Sequence, residues 1–237
     1  MTELGHLLLA DAVFKRLDWP REVRQCLYLG AIAPDAHRAT IDVSYRDVHF
    51  RSAQRPGHRL VDFLRDYLRP AARSYDFEER GFFVGWLTHL CGDDVWRRKL
   101  RAEFPSMWQR ISGAARLERH ALREEFRDEC DWVDAQLYQR NAYLIEDIRW
   151  LLEQAPIRFT IPPLQPGDLH RWQMQVIEHN LPPSNLSVEQ ARFLSVDFVL
   201  EAIALAEEET ISMLEWEMKR KPEDGVDHGA GYFSTIA

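Results

Sequence analysis

The chain has 237 residues, 46% hydrophobic and 29% charged, enough for one compact domain with a sizeable core, which excludes wholesale disorder. Thirty Lys+Arg against 38 Asp+Glu give a net charge of −8; this excludes the basic footprint of a duplex nucleic-acid binder but not a local pocket for one phosphate. The longest stretch around the apolar middle without Asp, Glu, Lys or Arg runs from Gly81 to Gly92, short of the about 20 residues of a transmembrane helix.

The N-terminus opens with an acid, carries only three consecutive leucines and does not read as a signal peptide. Cys26, Cys91 and Cys130 are far apart and form no ligand cluster, so reduced thiols in a cytoplasmic protein are expected. Leu7, Ala10, Phe14 and Leu17 fall at helical spacing and predict an amphipathic helix over about 5–18, ended by Asp18-Trp19-Pro20. An apolar segment from Val23 to Ile32 stops at Ala33-Pro34-Asp35. A polar stretch from His37 to His58 follows, with a turn at Arg55-Pro56-Gly57; His37 and His58 read as exposed. Leu60, Phe63, Leu64 and Tyr67 predict a short helix closing before Pro70.

Residues near Glu79–Arg101 give the most apolar helix, with Phe82, Phe83, Trp86, Leu87 and Leu90 on one broad face. A longer helix is expected from about Leu117 to Gln154, with the seam Leu122, Phe126, Cys130, Val133, Leu137, Asn141, Leu144, Ile148, Leu151. That seam suits packing within the domain or against a second copy, and leaves the oligomeric state open. Half of the 12 prolines crowd into Pro156–Pro183 and predict an extended surface connection with one short helix in His170–Asn180. Only Ile157–Ile161 alternates like a strand. Ser187-Val188-Glu189-Gln190 is a capping box opening a last helix, whose stripe is Ala191, Leu194, Phe198, Ala202 and Leu205. The fold class is all-α, a single multi-helix domain over 1–218 with a flexible polar tail over 219–237. Trp86 and Trp132 suit a core; Trp19, Trp172 and Trp216 suit an apolar lip.

The chemistry sits in the first hundred residues. His89 and Asp93 are four apart on the apolar helix, so both side chains leave adjacent turns on one side, with Gly85 one turn earlier leaving room for something to approach. Such a pair at an apolar edge either hydrogen-bonds internally or holds an ion. Asp35, made rigid by Pro34, serves as a loop cap, a helix N-cap, a ligand or a base. His49 lies between Val48 and Phe50, and His6 precedes Leu7-Leu8-Leu9. Each is explicable structurally. Together, imidazole nitrogens and carboxylates suit a borderline divalent ion, zinc first.

Gly5-His6-Leu7-Leu8, Leu29-Gly-Ala-Ile-Ala-Pro-Asp35, His49-Phe50 and Gly85-Trp-Leu-Thr-His89-x-x-x-Asp93 occur in an order that resembles the bacterial zinc-dependent phospholipase C family, related to the single-strand-specific zinc nucleases. The resemblance covers residues 1 to about 100. It implies an all-α fold with a multinuclear zinc site. His49, His89, Asp93 and Asp35 would hold one ion, and Asp93 would bridge to a second on His6. Asp35 would be available as general base while a metal-activated water attacks phosphorus. Secreted members carry a further His a few residues after the helix Asp, where this chain has Val95–Lys99, so about two zinc ions, or one, are expected rather than three, with iron or manganese as substitutes. The family's His-x-x-x-Glu element recurs as His120–Glu124, but opposite the Leu122–Phe126 seam beside Arg127 and Asp131, where a solvated polar face competes with extra ligands. Arg38, Arg51, Arg97 and Arg98 are near the ligands in sequence and could meet a phosphate, though ordinary surface arginines explain most of them.

The expected function is therefore a metal-dependent, phospholipase C-like hydrolase of a small or lipid-like phosphate ester. The alternatives are another reaction on the same metal site, such as phosphomonoester or nucleic-acid hydrolysis, and a non-catalytic helical scaffold.

Overall fold

The computed structural model describes residues 1–51, 60–113, 116–181 and 193–219, and for 111–113, 116–123 and 218 the backbone alone. Helix α1, Glu3–Arg16, starts where Thr2 Oγ1 accepts from the Gly5 N–H, with Glu3 in its first turn and Lys15 and Arg16 in its last, as the helix dipole favours. The sequence predicts a one-sided amphipathic helix here. Instead Glu3 through Asp11 are all buried, so α1 is enclosed by its neighbours over two turns and more. Helix α2, Val23–Ile32, ends at the limit the sequence predicts, but the chain stays helical past Pro34. It tightens into a 3₁₀ turn, Ala33–Ala39, because proline is tolerated in a first turn whose N–H groups lack intrahelical partners.

Ser44 Oγ caps the single turn α3, Tyr45–Val48, and Phe50 follows with φ 50°, a left-handed conformation just past His49. Helix α4, Leu60–Phe63, runs through a π turn, Leu64–Leu68, into α5, Arg69–Arg73. The sequence predicts a stop before Pro70. The wide turn, closed by Arg69 N–H to Leu64 O, carries the chain past a residue that has no N–H of its own.

Asp76 caps α6, Phe77–Glu103, and α7, Pro105–Gly113, follows. Helix α8, Arg116–Gln154, is broken at Asn141 (φ −127°, ψ 25°), whose Nδ2 donates to Leu137 O. Its polar seam residue is thus a kink; beyond it Ile148 and Leu151 of the expected seam are buried, Leu144 is partly buried, and Ile145 and Leu152 join the buried face. In the Pro-rich stretch, α9, Pro166–Gln175, starts earlier than His170 and extends into a π turn, Val176–Asn180; Ile157–Ile161 is not a strand. Helix α10, Val196–Lys219, completes the described chain.

Helix α6 packs against α2 and α10, α1 packs against α2, α6 and α10, α8 contacts α2, and α9 covers the 3₁₀ turn. Trp172 is buried on α9 with its Nε1 donating to Ile32 O, so it is core and not lip. The described residues form a helical fold around one apolar cluster, and no helix among them is long and apolar enough to cross a membrane. The Arg55-Pro56-Gly57 turn, His58, Pro182-Pro183, the Ser187–Gln190 capping box, Ala191, the side chains of His120 and Leu122, and the tail from 220 lie outside the described residues.

Candidate metal centre

Two glycines bring α2 against α6. A Cβ on Gly85 would overlap the Leu27 carbonyl oxygen and stand 2.8 Å from Ala31 N; one on Gly30 would overlap the Phe82 carbonyl. The space that Gly85 leaves is thus filled by backbone. This approach lets His89 Nδ1 reach Ala31 O at 2.8 Å. Asp93 lies one turn further along α6. His6 faces both from α1, its ring stacked on His89 with centroids 3.8 Å apart. Asp35 comes from the 3₁₀ turn, and His49 closes α3 with Nδ1 at 3.1 Å from Tyr45 O while the Tyr45 ring stacks on it at 3.8 Å.

A carbonyl oxygen only accepts, so the Nδ1 of His49 and of His89 each carry the hydrogen. That assigns both Nε2 atoms a lone pair in the neutral rings, and the two lie 3.1 Å apart. Facing lone pairs at that distance repel unless one ring takes a second proton or both nitrogens share a cation. Burial, with opposing help from Asp35, holds the His49 pKa down at about 4. His6 is buried with neither ring nitrogen hydrogen-bonded among the described residues, and burial followed by His89 lowers its pKa to about 3. His6 Nε2 is 3.6 Å from Asp93 Oδ1.

The two carboxylates complete the set. Asp35 Oδ1 is 3.5 Å from His49 Nε2 and 3.9 Å from His37 Nδ1, and Oδ2 forms an ion pair with Arg38 Nη2 at 3.1 Å. Asp93 Oδ1 accepts from the Met1 amino group at 3.0 Å; Oδ2 meets Tyr45 Oη at 3.2 Å and the Arg97 guanidinium. Burial alone would raise both carboxyl pKa values. For Asp35 the neighbouring His49 imidazole, then His89 and the Arg38 guanidinium, outweigh it, and for Asp93 the amino terminus and His6 do, so both are held well below the usual range.

Ligand atoms therefore gather in two groups, His6 with His89 and Asp93, and Asp35 with His37 and His49, each within 4.8 Å. The His49–His89 pair joins them. The five residues singled out in sequence, His6, Asp35, His49, His89 and Asp93, thus meet in one place. His37 does too, against its expected exposure, because the 3₁₀ turn directs its Nδ1 to Pro34 O at 3.0 Å. Comparison with protein-family models, with curated proteins and with solved structures returns no match. The chain's own geometry carries the reading.

Glu124 is not at this place. It lies half-exposed on α8 and pairs with Arg127 at 3.1 Å, as a solvated polar face would. Of the arginines, Arg38 and Arg97 grip the two carboxylates and Arg51 stands over the Tyr45 ring at 5.6 Å. Arg98 instead pairs with Asp94 and with Glu209 on α10. Sequence reasoning missed Tyr45 and Glu3. Tyr45 carried a signal, since a helical turn capped by Ser44 puts it four residues before His49; Glu3, which contacts Arg38 and accepts from Asn180 Nδ2 at 3.2 Å, carried none.

The donor set fits divalent zinc: neutral imidazole nitrogens whose far sides are fixed by carbonyls, with ionised carboxylates between them. Iron or manganese would accept the same atoms.

Proposed function

We propose that the chain is a metal-dependent hydrolase of a phosphate ester, phospholipase C-like in fold and site, with His6, Asp35, His49, His89 and Asp93 holding about two zinc ions. The observation that supports this best is the pair of Nε2 lone pairs turned on one another at 3.1 Å, with each Nδ1 already committed to a carbonyl. Bound there, zinc supplies Lewis-acid polarisation of a phosphoryl group and an acidified water.

The protein's part is orientation and charge. Ala31 O and Tyr45 O fix the two ring tautomers, and Tyr45 Oη ties Asp93 to Arg97. Asp35 is the residue with two competing roles. Arg38 holds Oδ2, Oδ1 faces His49, and the group stays ionised well into acid, which favours the ligand over the general base. The three cysteines, each buried and unbridged, support a cytoplasmic setting. The substrate class is a small or lipid-like phosphate ester.

Elemental analysis of protein purified without added metal tests the reading. Wild type should hold about two zinc ions per chain, and His89→Ala fewer than about one. Zinc-loaded wild type should hydrolyse aryl phosphate esters, and Asp35→Asn should lose turnover together with zinc if Asp35 is a ligand, or turnover alone if it is the base. No metal in wild type and no uptake on zinc titration would leave a helical scaffold.

A further inference from the structure

Side-chain exposure divides the centre into a floor and a rim. His6, His49, His89 and Asp35 are buried, whereas Asp93 is 13% exposed, Arg97 and His37 16% each, and Arg38 49%. Arg38 is thus the most exposed residue of the centre, and Arg97, His37 and Asp93 border solvent with it while the floor residues do not. The two guanidiniums are placed one at each ligand group: Arg38 touches Asp35 and Glu3, and Arg97 touches Asp93 and Tyr45 Oη, the latter at 2.8 Å. Both are already oriented by those partners, which lowers the ordering cost of binding.

The rim offers little to a cationic group. The Tyr45 ring has His49 stacked at 3.8 Å and the Arg51 guanidinium over it at 5.6 Å, and the Trp172 ring has Arg38 over it at 5.6 Å, so each ring already faces a resident cation that an ammonium would have to displace. The rim carboxylates, Asp93 and Glu3, are each paired with an arginine. Guanidinium forks match phosphoryl oxygens two at a time, and two forks on different sides suit a group with three terminal oxygens better than one with two.

We propose that Arg38 and Arg97 form a clamp for a terminal, dianionic phosphoryl group, so that the substrate is a small phosphomonoester rather than a diester. This rests on the metal-dependent hydrolase reading and narrows its substrate class. In the reaction a water oxygen bonds to phosphorus, and the bond from phosphorus to the ester oxygen breaks. Its electron pair goes to that oxygen, which takes a proton from solvent while the attacking water gives one up to solvent, and the products are an alcohol and hydrogen phosphate.

Isothermal titration of zinc-treated protein with inorganic phosphate and with dimethyl phosphate tests the clamp, alongside zinc content. Wild type should bind phosphate at least roughly tenfold tighter than dimethyl phosphate. Arg38→Lys and Arg97→Lys should keep their zinc and each lose roughly tenfold in phosphate affinity, because lysine keeps the charge and loses the fork. Arg98→Lys, which pairs with Glu209 away from the centre, should match wild type. Equal binding of the two anions by wild type would overturn the dianion preference without need of any variant. Retained zinc with unchanged phosphate affinity in both clamp variants would overturn the clamp and leave the metal reading standing. Wild type that takes up no zinc overturns the metal reading instead; phosphate binding that still depends on Arg38 and Arg97 would then support the clamp, and no phosphate binding would overturn both.

Discussion

His6 and His49 are held neutral by burial, and that has a consequence for stability. In an unfolded chain each imidazole takes a proton near its ordinary pKa of 6.5, whereas the folded chain resists it down to about 3 for His6 and about 4 for His49. Between those values the unfolded state binds more protons. Stability is complete above pH 6.5 and falls as the pH drops, by up to about 1.4 kcal/mol per pH unit for each ring. Asp35 and Asp93, held below their ordinary range, add a further loss only below about pH 4. Urea denaturation of chelator-treated protein should therefore show about 2–4 kcal/mol less stability at pH 5 than at pH 7.5. A level profile to pH 5 would mean that these rings accept protons in the folded state. The five candidate ligands were legible because each stood in or beside an apolar run. His37 was not, since its placement depends on the 3₁₀ continuation past Pro34.

At the scale of elements, the close pairing of α2 and α6 sets the position of His89. An added Cβ on Gly85 has a rigid carbonyl in its way, so Gly85→Ala should cost about 3 kcal/mol or more despite the better helix propensity of alanine. It should also lower zinc content, since separating the helices withdraws Ala31 O from His89. Gly167→Ala is the control. There an added Cβ meets only the end of Arg171, at 3.7 Å, and stability should rise by up to about 1 kcal/mol. Chemical denaturation of both variants decides; a neutral Gly85→Ala would show that the helix contact gives way easily. Helical periodicity placed α6 and α8 to within a few residues, but it is blind to the Asn141 kink, because one polar residue in a seam reads the same straight or bent.

For the whole molecule, the centre draws on α1, the 3₁₀ turn, α3 and α6, so an ion bound there would tie together segments spread over more than 80 positions from His6 to Asp93. Binding to the folded state alone stabilises by about 4 kcal/mol at a thousandfold excess over Kd, and each kcal/mol moves Tm by about 2–4 °C at this size. Removing metal with a chelator should thus lower Tm by roughly 8–16 °C, and re-adding zinc should restore it. A Tm indifferent to chelator would count against the centre. The net charge of −8 does not oppose an anionic substrate, because screening over about 10 Å leaves the local arginines in control at the rim.

By itself the sequence determined the all-helical class, the approximate limits of α1, α2, α6 and α8, and which five residues are candidate ligands, since periodicity, capping and proline placement act within a few positions of the chain. Tertiary structure alone decided that α1 is enclosed, that His37 and Tyr45 join the centre while Glu124 does not, and that two imidazole lone pairs face one another. Those facts are contacts between groups far apart in the chain, such as His49 and His89 at 40 positions and Arg16 and Glu207 at 191, and they are fixed by packing across helices rather than by any local pattern.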